Sequence, residues 1–189
     1  MAKKNIKKEL IMAPMPVLII GTYDENGVPN AMNAAWGTQC DTDAVTIFLS
    51  KHKTTENLKL KKAFTVAFAT KETLKESDYF GIESGKGINK IEKAGFHTRK
   101  AEFVDAPVIE EYPVTIECEV AELADDGGDY RLVGKVVNVV AEESVLDTKG
   151  RVDLGKLNLI SFDSAAHAYR LLGDVVGQAF HDGLTIKNK

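Results

Sequence analysis

Hydrophobic positions fall mostly in short continuous blocks, not at helical spacing. "AVTIFLS" (44–50) and "FTVAFAT" (64–70) are apolar, rich in β-branched and aromatic residues, and bounded by polar segments. Runs of that length and composition predict buried strands. "PVLIIGTYDENGVPNAMNAAWG" reads as two extended runs around "DENG". Asn-Gly supplies the positive φ angles of a tight connection and Pro29 resists helix just beyond it, so a β-hairpin is expected. In "PVTIECEVAEL", Val114, Ile116, Cys118 and Val120 alternate with Thr115, Glu117 and Glu119. That period of two predicts a half-buried strand. "DDGGD" turns it into "YRLVGKVVNVVAEESVL", forming an antiparallel ribbon, and "DTKGR" is a further turn.

Helical signals are fewer. "TTENLKLKKA" offers a Thr cap, an early Glu and late lysines, the order that complements a helix dipole, and predicts a short helix from about 55 to 62. A second helix is expected around "TLKESDYFG" and a third at "NKIEKAG", stopped by Gly95. "SAAHAYRLLGDVVGQAFHDGLTIKNK" reads as helix or turn with glycine stops and a polar, fraying tail. Strands outnumber helices and no βαβ alternation is present, which favours a mainly β chain, an antiparallel barrel with inserted helices, over a doubly wound sheet. The 189 residues suit a single domain, 1–189.

Composition narrows the classes. A net charge of −4 gives no phosphate-neutralising footprint, so nucleic acid is not an expected partner. The basic "MAKKNIKKEL" lacks the apolar region of a signal peptide and no run is long enough to cross a bilayer. A cytoplasmic setting without membrane contact is the expectation. Cys40 and Cys118 are far apart and outside any CxxC spacing, so they read as free thiols, Cys40 as a small buried hydrophobe. The four histidines form no ligand pair, which leaves a metal centre unsupported.

Two stretches carry candidate chemistry. In "PNAMNAAW", strand alternation puts Asn30, Met32, Ala34 and Trp36 on one face and Ala31, Asn33 and Ala35 on the other. Such small side chains either admit a planar ligand to the backbone or make room for a neighbouring helix. "SKHKTTENL" runs from a strand through hydroxyls and cations into a helix start, where an anion can be held, although Thr54 or Thr55 could simply cap the helix beside solvated Lys51, His52 and Lys53. "SGKG" (84–87) lacks the full P-loop pattern and reads as a flexible loop able to fold over a ligand, with Lys90 just beyond. No Ser-His-Asp or paired-carboxylate arrangement can be assembled, so any hard chemistry would belong to a cofactor.

"PMPVLIIGTYDENGVPNAMNAAW", "TTENL…AFTVAF", "DYFGIESGKGINKIEKAGF", "APVIEEYPVTIECEV", "GDYRLVGKV" and "YRLLGDVVGQAF", in that order, resemble the flavin reductase-like, FMN-binding split-barrel family, particularly its flavoredoxin-like members. The resemblance implies a Greek-key split β-barrel, a homodimer, and one FMN per subunit in a groove near the subunit interface. It implies that Asn30, Ala31, Met32, Asn33, Ala34 and Trp36 border the isoalloxazine ring, through main-chain groups and the side chains of Asn30 and Trp36. Ser50, Lys51, His52 and Thr54, with Thr55 as the alternative, match the phosphate-binding segment, and Lys90 matches a polar residue close to the flavin. Many reductases of this family carry a His in a pattern like GDHxxxxG, on the nicotinamide side of the site. Here "GGDYRLVG" has Asp129 at the gapless equivalent and Tyr130 beside it. Two roles therefore follow from the resemblance: an NADH- or NADPH-dependent flavin reductase, or an electron carrier exchanging electrons with partner redox proteins.

Overall fold

The computed structural model describes residues 1–6 and 10–187. The chain opens with β1 (Met15–Pro16), β2 (Leu18–Tyr23) and β3 (Pro29–Ala34), followed by β4 (Gly37–Asp41) and β5 (Ala44–Ser50). Helix α1 (Lys53–Lys61) leads to β6 (Ala63–Phe68), then to α2 (Leu74–Ile82) and α3 (Lys90–Lys93). A small pair, β7 (Thr98–Lys100) and β8 (Pro107–Ile109), precedes the long ribbon of β9 (Val114–Asp126) and β10 (Asp129–Ala141). The chain continues through β11 (Ile160–Asp163), β12 (Ala168–Leu171) and α4 (Leu184–Lys187).

Seven strands pair in the order β3-β2-β6-β9-β10-β5-β4, every neighbouring pair antiparallel. The two edge strands are consecutive in the chain, separated only by Ala35 and Trp36. In a flat sheet six steps of ~4.8 Å would hold those edges about 29 Å apart. Three residue steps from Ala34 to Gly37 span at most about 11 Å. The sheet therefore rolls until its edges approach, while no ladder joins β3 to β4 among the described residues. The result is an open, split barrel with Trp36 at the corner.

Both faces of the barrel wall are used. Inside, Leu18, Ile20, Met32, Ile47, Phe64 and Leu132 pack with Leu58 of α1, which enters the same core. Outside, Ile19 and Ala31 pack against Phe80 of α2, Ile91 of α3, and Tyr112. Residues of β2 are thus covered on both sides, which accounts for its unbroken apolar run. A third layer, in the order β1-β11-β12, extends from the end of the barrel, where Ala69 N–H donates to Val17 O and Ile160 N–H to Ala69 O.

The hairpins around "DENG" and "DDGGD" form as their turn residues predict, with Gly27 at φ 77°. Four expectations need correction. Helix α1 starts two residues earlier than expected, with His52 as its cap, because the Thr55 hydroxyl ties back to the His52 backbone. Strand β9 is not half-buried at its start: Thr115 and Glu117 are buried as well. The Glu117 carboxylate is 0% exposed and accepts hydrogen bonds from Phe103 N–H (2.8 Å) and Asn138 Nδ2 (3.1 Å), groups brought in from elsewhere in the sequence. Ala168–Leu171 is a strand because β11 is available to pair with it. Cys40 is exposed, since β4 is an edge strand with an uncovered face, whereas Cys118 is buried and its thiol is pushed up to about 12 by burial. The readings that fall on Lys7–Glu9 and on Asn188 and Lys189 lie outside the described residues.

Candidate functional site

The corner that closes the barrel also makes a cavity. Trp36 O accepts Phe48 N–H at 2.8 Å, fixing the corner to β5. Around this junction lies a cavity of about 290 Å³. Strand β3 and the corner contribute Met32, Asn33, Ala34, Ala35 and Trp36. Strand β5 contributes Phe48, Leu49 and Ser50, followed by His52, and β11 contributes Phe162. Trp36 is 64% exposed, so its indole stands at the mouth and not in the core. Its lining combines apolar side chains with the hydroxyl of Ser50 and the imidazole of His52.

Ser50 and His52 adjoin the start of α1. In any α-helix the first N–H groups lack intrahelical acceptors, and here those of Lys53 and Thr54 follow directly after His52. Free N–H groups, the helix dipole, Ser50 and His52 together form a donor set suited to an anion such as a phosphate monoester.

Buried polar contacts hold the start of α1 in place. Asn30 Nδ2 donates to Thr54 Oγ1 at 2.9 Å, and Asn57 Nδ2 to Thr22 Oγ1 at 3.0 Å, stitching α1 to β3 and β2. Each bond is worth about 1 kcal/mol net, but a partner left alone in the core costs more. Lys53 Nζ lies 3.0 Å from Asp24 Oδ2, while Asp24 Oδ1 accepts the N–H groups of Asn26 and Val28 at 2.9 Å. Burial pushes the Asp24 carboxyl up, yet the Val28 N–H, the Lys53 ammonium and the Asn26 N–H outweigh it and hold the acid below its ordinary range.

The sequence-predicted residues separate into groups. Met32, Asn33, Ala34, Trp36, Ser50 and His52 meet at the cavity. Asn30 and Thr54 sit behind it as a buried pair. Ala31 faces the opposite way, into the cluster with Phe80 and Ile91. Asn33 Nδ2 donates to Ser77 O of α2 at 2.8 Å, and a Cβ at Gly81 would lie 3.2 Å from Asn33 Cβ. The small residues of β3 therefore serve both readings: one side admits a helix and the other lines the cavity. Thr55 spends its hydroxyl on the His52 backbone, and Lys51 is exposed outside the cavity lining.

Lys90 is 3% exposed and turned away from solvent, donating from Nζ to Phe80 O (2.8 Å) and Glu83 O (2.9 Å) at the end of α2. Burial lowers its ammonium pKa to about 8, against a smaller opposing effect of Glu83. By tying down Glu83 it anchors the "SGKG" loop, where a Cβ on Gly85 would overlap Asn30 Oδ1. The loop thus closes against the residue that holds Thr54.

Register places Asp129 opposite Ser50 and Tyr130 opposite Leu49. Asp129 is exposed; Tyr130 is buried in the barrel and its hydroxyl accepts from Lys59 Nζ at 2.8 Å. Sequence reasoning missed Phe48, Phe162, Asp24 and the ion-paired role of Lys53. Phe162 joins from a strand more than a hundred residues downstream, for which no local signal exists.

A larger groove of about 1190 Å³ shares Ala35, Trp36 and Phe48 with the cavity, but no Lys, Arg or His lines it. Its lining therefore offers an anionic group less than that of the smaller cavity, which includes His52.

The flavin reductase-like domain model matches residues 12–161, and the chain belongs to that family, whose fold binds flavin. Among solved structures, the flavoredoxin of Desulfovibrio vulgaris (Miyazaki F) is 28% identical with a TM-score of 0.91, covering 96% of this chain and 100% of that one. The flavoredoxin from Methanosarcina acetivorans is 27% identical at a TM-score of 0.89, covering 98% and 100%. The FMN-binding protein from Thermus thermophilus shares the fold at 22% identity and a TM-score of 0.76, over 94% of this chain and 99% of its own. No helix among the described residues is long and apolar enough to cross a membrane.

Proposed function

We propose that this chain is an FMN-dependent oxidoreductase, working as a homodimer, that takes electrons from NADH or NADPH and passes them onward. The observation that carries the reading is the corner cavity, whose lining brings the apolar Met32, Ala34 and Trp36 together with Ser50 and His52 beside the start of α1. A flavin mononucleotide needs both, an apolar slot for the ring and donors for one phosphate. When bound, FMN would supply hydride and single-electron transfer chemistry. Trp36 and Met32 exclude water from one side of the ring site. The α1 N-terminus and Ser50 orient the phosphate. Lys90 and Asn30 hold the loop and helix that frame it. No protein acid or base is assigned.

Asp129 favours a second reading, an electron carrier that exchanges electrons with partner redox proteins and leaves nicotinamide alone. Its exposed carboxylate opposite Ser50 puts negative charge where an anionic dinucleotide would approach. The flavoredoxin likeness at 27–28% identity points the same way.

The visible spectrum of the purified protein comes first. A colourless preparation that FMN cannot reconstitute refutes both readings. Anaerobic mixing of the yellow protein with NADH and with NADPH then separates them. Bleaching within seconds supports the reductase; bleaching only by a reduced redox protein supports the carrier.

A further inference from the structure

The cofactor cavity borrows part of its wall from outside the barrel. Phe162 lines it from β11, and β11 pairs with β1 and β12 but, among the described residues, with no strand of the seven-stranded sheet. The backbone ties of this layer to the chain beyond β6, at Ala69 and Thr70, reach Ile160 and Leu159 and stop short of Phe162. Barrel hydrogen bonding therefore does not decide where the Phe162 ring sits.

Packing and one hydrogen bond do. Across the hairpin Phe162 meets Tyr169 at a ring-centroid distance of 6.0 Å and a tilt of 53°, and it meets the edge of His167 at 6.4 Å. Asp163 makes the turn rigid: its Oδ1 accepts the N–H groups of Ala165 and Ala166 at 3.1 Å, and its Oδ2 accepts from Arg170 Nε at 2.6 Å. The Tyr169 hydroxyl donates to Asp78 Oδ1 of α2 at 2.6 Å, bridging ninety-one residues of sequence. A phenol–carboxylate contact this short is charge-assisted and stronger than a neutral hydrogen bond. Leu74, also on α2, packs against the cluster that holds Phe162 and Tyr169. Burial, followed by the hydrogen bond to Asp78, pushes the phenol up to about 12, so it remains a donor throughout the neutral range.

The preceding residue of α2 serves the barrel side of the same cavity. Ser77 O accepts Asn33 Nδ2, while Ser77 Oγ is hydrogen-bonded to the buried Tyr112 hydroxyl at 2.8 Å. Ser77 and Asp78 thus tie one helix to two cavity-lining side chains, Asn33 directly and Phe162 through Tyr169. We propose that Tyr169 is a positioning residue: its hydrogen bond to Asp78 clamps the β11–β12 hairpin to α2 and holds Phe162 in the cavity lining that it shares with Trp36. The anion-binding groups are braced separately, by Asn30 on Thr54 and Asn57 on Thr22, and neither bond involves α2 or β11. The clamp accordingly acts on a bound flavin through its ring and not through its phosphate. This last consequence rests on the FMN reading, whereas the clamp itself does not.

Two measurements on the full-length protein test it, with circular dichroism as the folding check. Trp36 is the sole tryptophan, so its indole N–H proton gives one assignable NMR signal in the flavin-free protein. Phe162→Leu should shift that signal, and Tyr169→Phe, which removes one oxygen, should shift it in the same direction. Asp78→Ala should reproduce Tyr169→Phe, and Asp78→Asn, which keeps an acceptor oxygen, should return the signal toward its native position. In equilibrium titration Tyr169→Phe should weaken FMN and riboflavin by the same factor, about fivefold or more, and should add little once Phe162 is replaced. A Trp36 signal that Phe162→Leu or Tyr169→Phe leaves unmoved overturns the clamp, as does Asp78→Asn behaving like Asp78→Ala. A native chain that binds FMN, with Tyr169→Phe binding both flavins equally well and losing only resistance to urea, reduces Tyr169 to a structural role and overturns the proposal while the cofactor assignment stands. A native chain that takes up neither flavin, with the Trp36 shifts as expected, does the reverse.

Discussion

Replacing Lys90 by Met should change how the stability of this protein depends on pH. The Lys90 ammonium is buried and satisfied by two carbonyls, and its pKa falls from an ordinary 10.5 to about 8. Below pH 8 the group is charged in the folded and unfolded chain alike, and its poor solvation weakens the fold. Between about 8 and 10.5 the unfolded chain holds one more proton than the folded chain, so stability rises with pH across that window and levels above it. The gap corresponds to a ceiling of about 3 kcal/mol. Hydration of the neighbouring loop screens part of this, leaving an expected gain of about 1–2 kcal/mol. Met fills the same volume without a charge and leaves Phe80 O and Glu83 O short of a donor, a penalty that does not vary with pH. Urea unfolding of both proteins at pH 7, 8, 9 and 10 isolates the effect, because other titrations cancel in the difference. The native protein should gain about 0.5–1 M in midpoint relative to Lys90→Met between pH 7 and 10. Parallel curves would show that Lys90 does not titrate in this window and that the reasoning fails.

Thr54→Val removes the acceptor of Asn30 Nδ2 at nearly constant volume. It should cost about 1–3 kcal/mol in urea unfolding, because the amide is left buried and unpaired. Gly134→Ala places a Cβ against the Phe64 ring within the barrel core. A loss of about 1–3 kcal/mol is expected from overpacking, and a neutral result in thermal unfolding would mean the ring moves freely. The Ser50→Ala/His52→Ala double variant should weaken FMN about tenfold or more in equilibrium titration while binding riboflavin, which lacks the phosphate, no more weakly than the native chain does.

Elements whose cause is local could be read from the sequence. The β2–β3 hairpin follows from Asn26-Gly27, and α3 ends where Gly95 takes φ 76°. Likewise the β9–β10 ribbon follows from "DDGGD". Features caused by distant partners were not legible. Glu117 looks like a surface residue until Phe103 N–H and Asn138 arrive to satisfy it. His52 displaces the threonines as helix cap because Thr55 bonds backward, a choice settled by three-residue geometry and not by cap preference. At the site, the alternation of "PNAMNAAW" identified the approachable face. It could not reveal that Trp36 stands at a corner, since the corner exists only once five other strands intervene between β3 and β4.

That corner bears on how the barrel closes. The first and last strands of the sheet are joined by two residues, so the entropy of bringing the edges together is already small in the unfolded chain. Closure waits instead for β6, β9 and β10 to fill the space between, contacts far apart in sequence and correspondingly slow to form. The cavity at the corner is therefore completed late in folding, and a ligand that binds there selects molecules whose sheet is fully assembled. Lengthening the Ala35–Trp36 link would remove the tether that obliges the sheet to roll, turning a covalent constraint into a conformational choice.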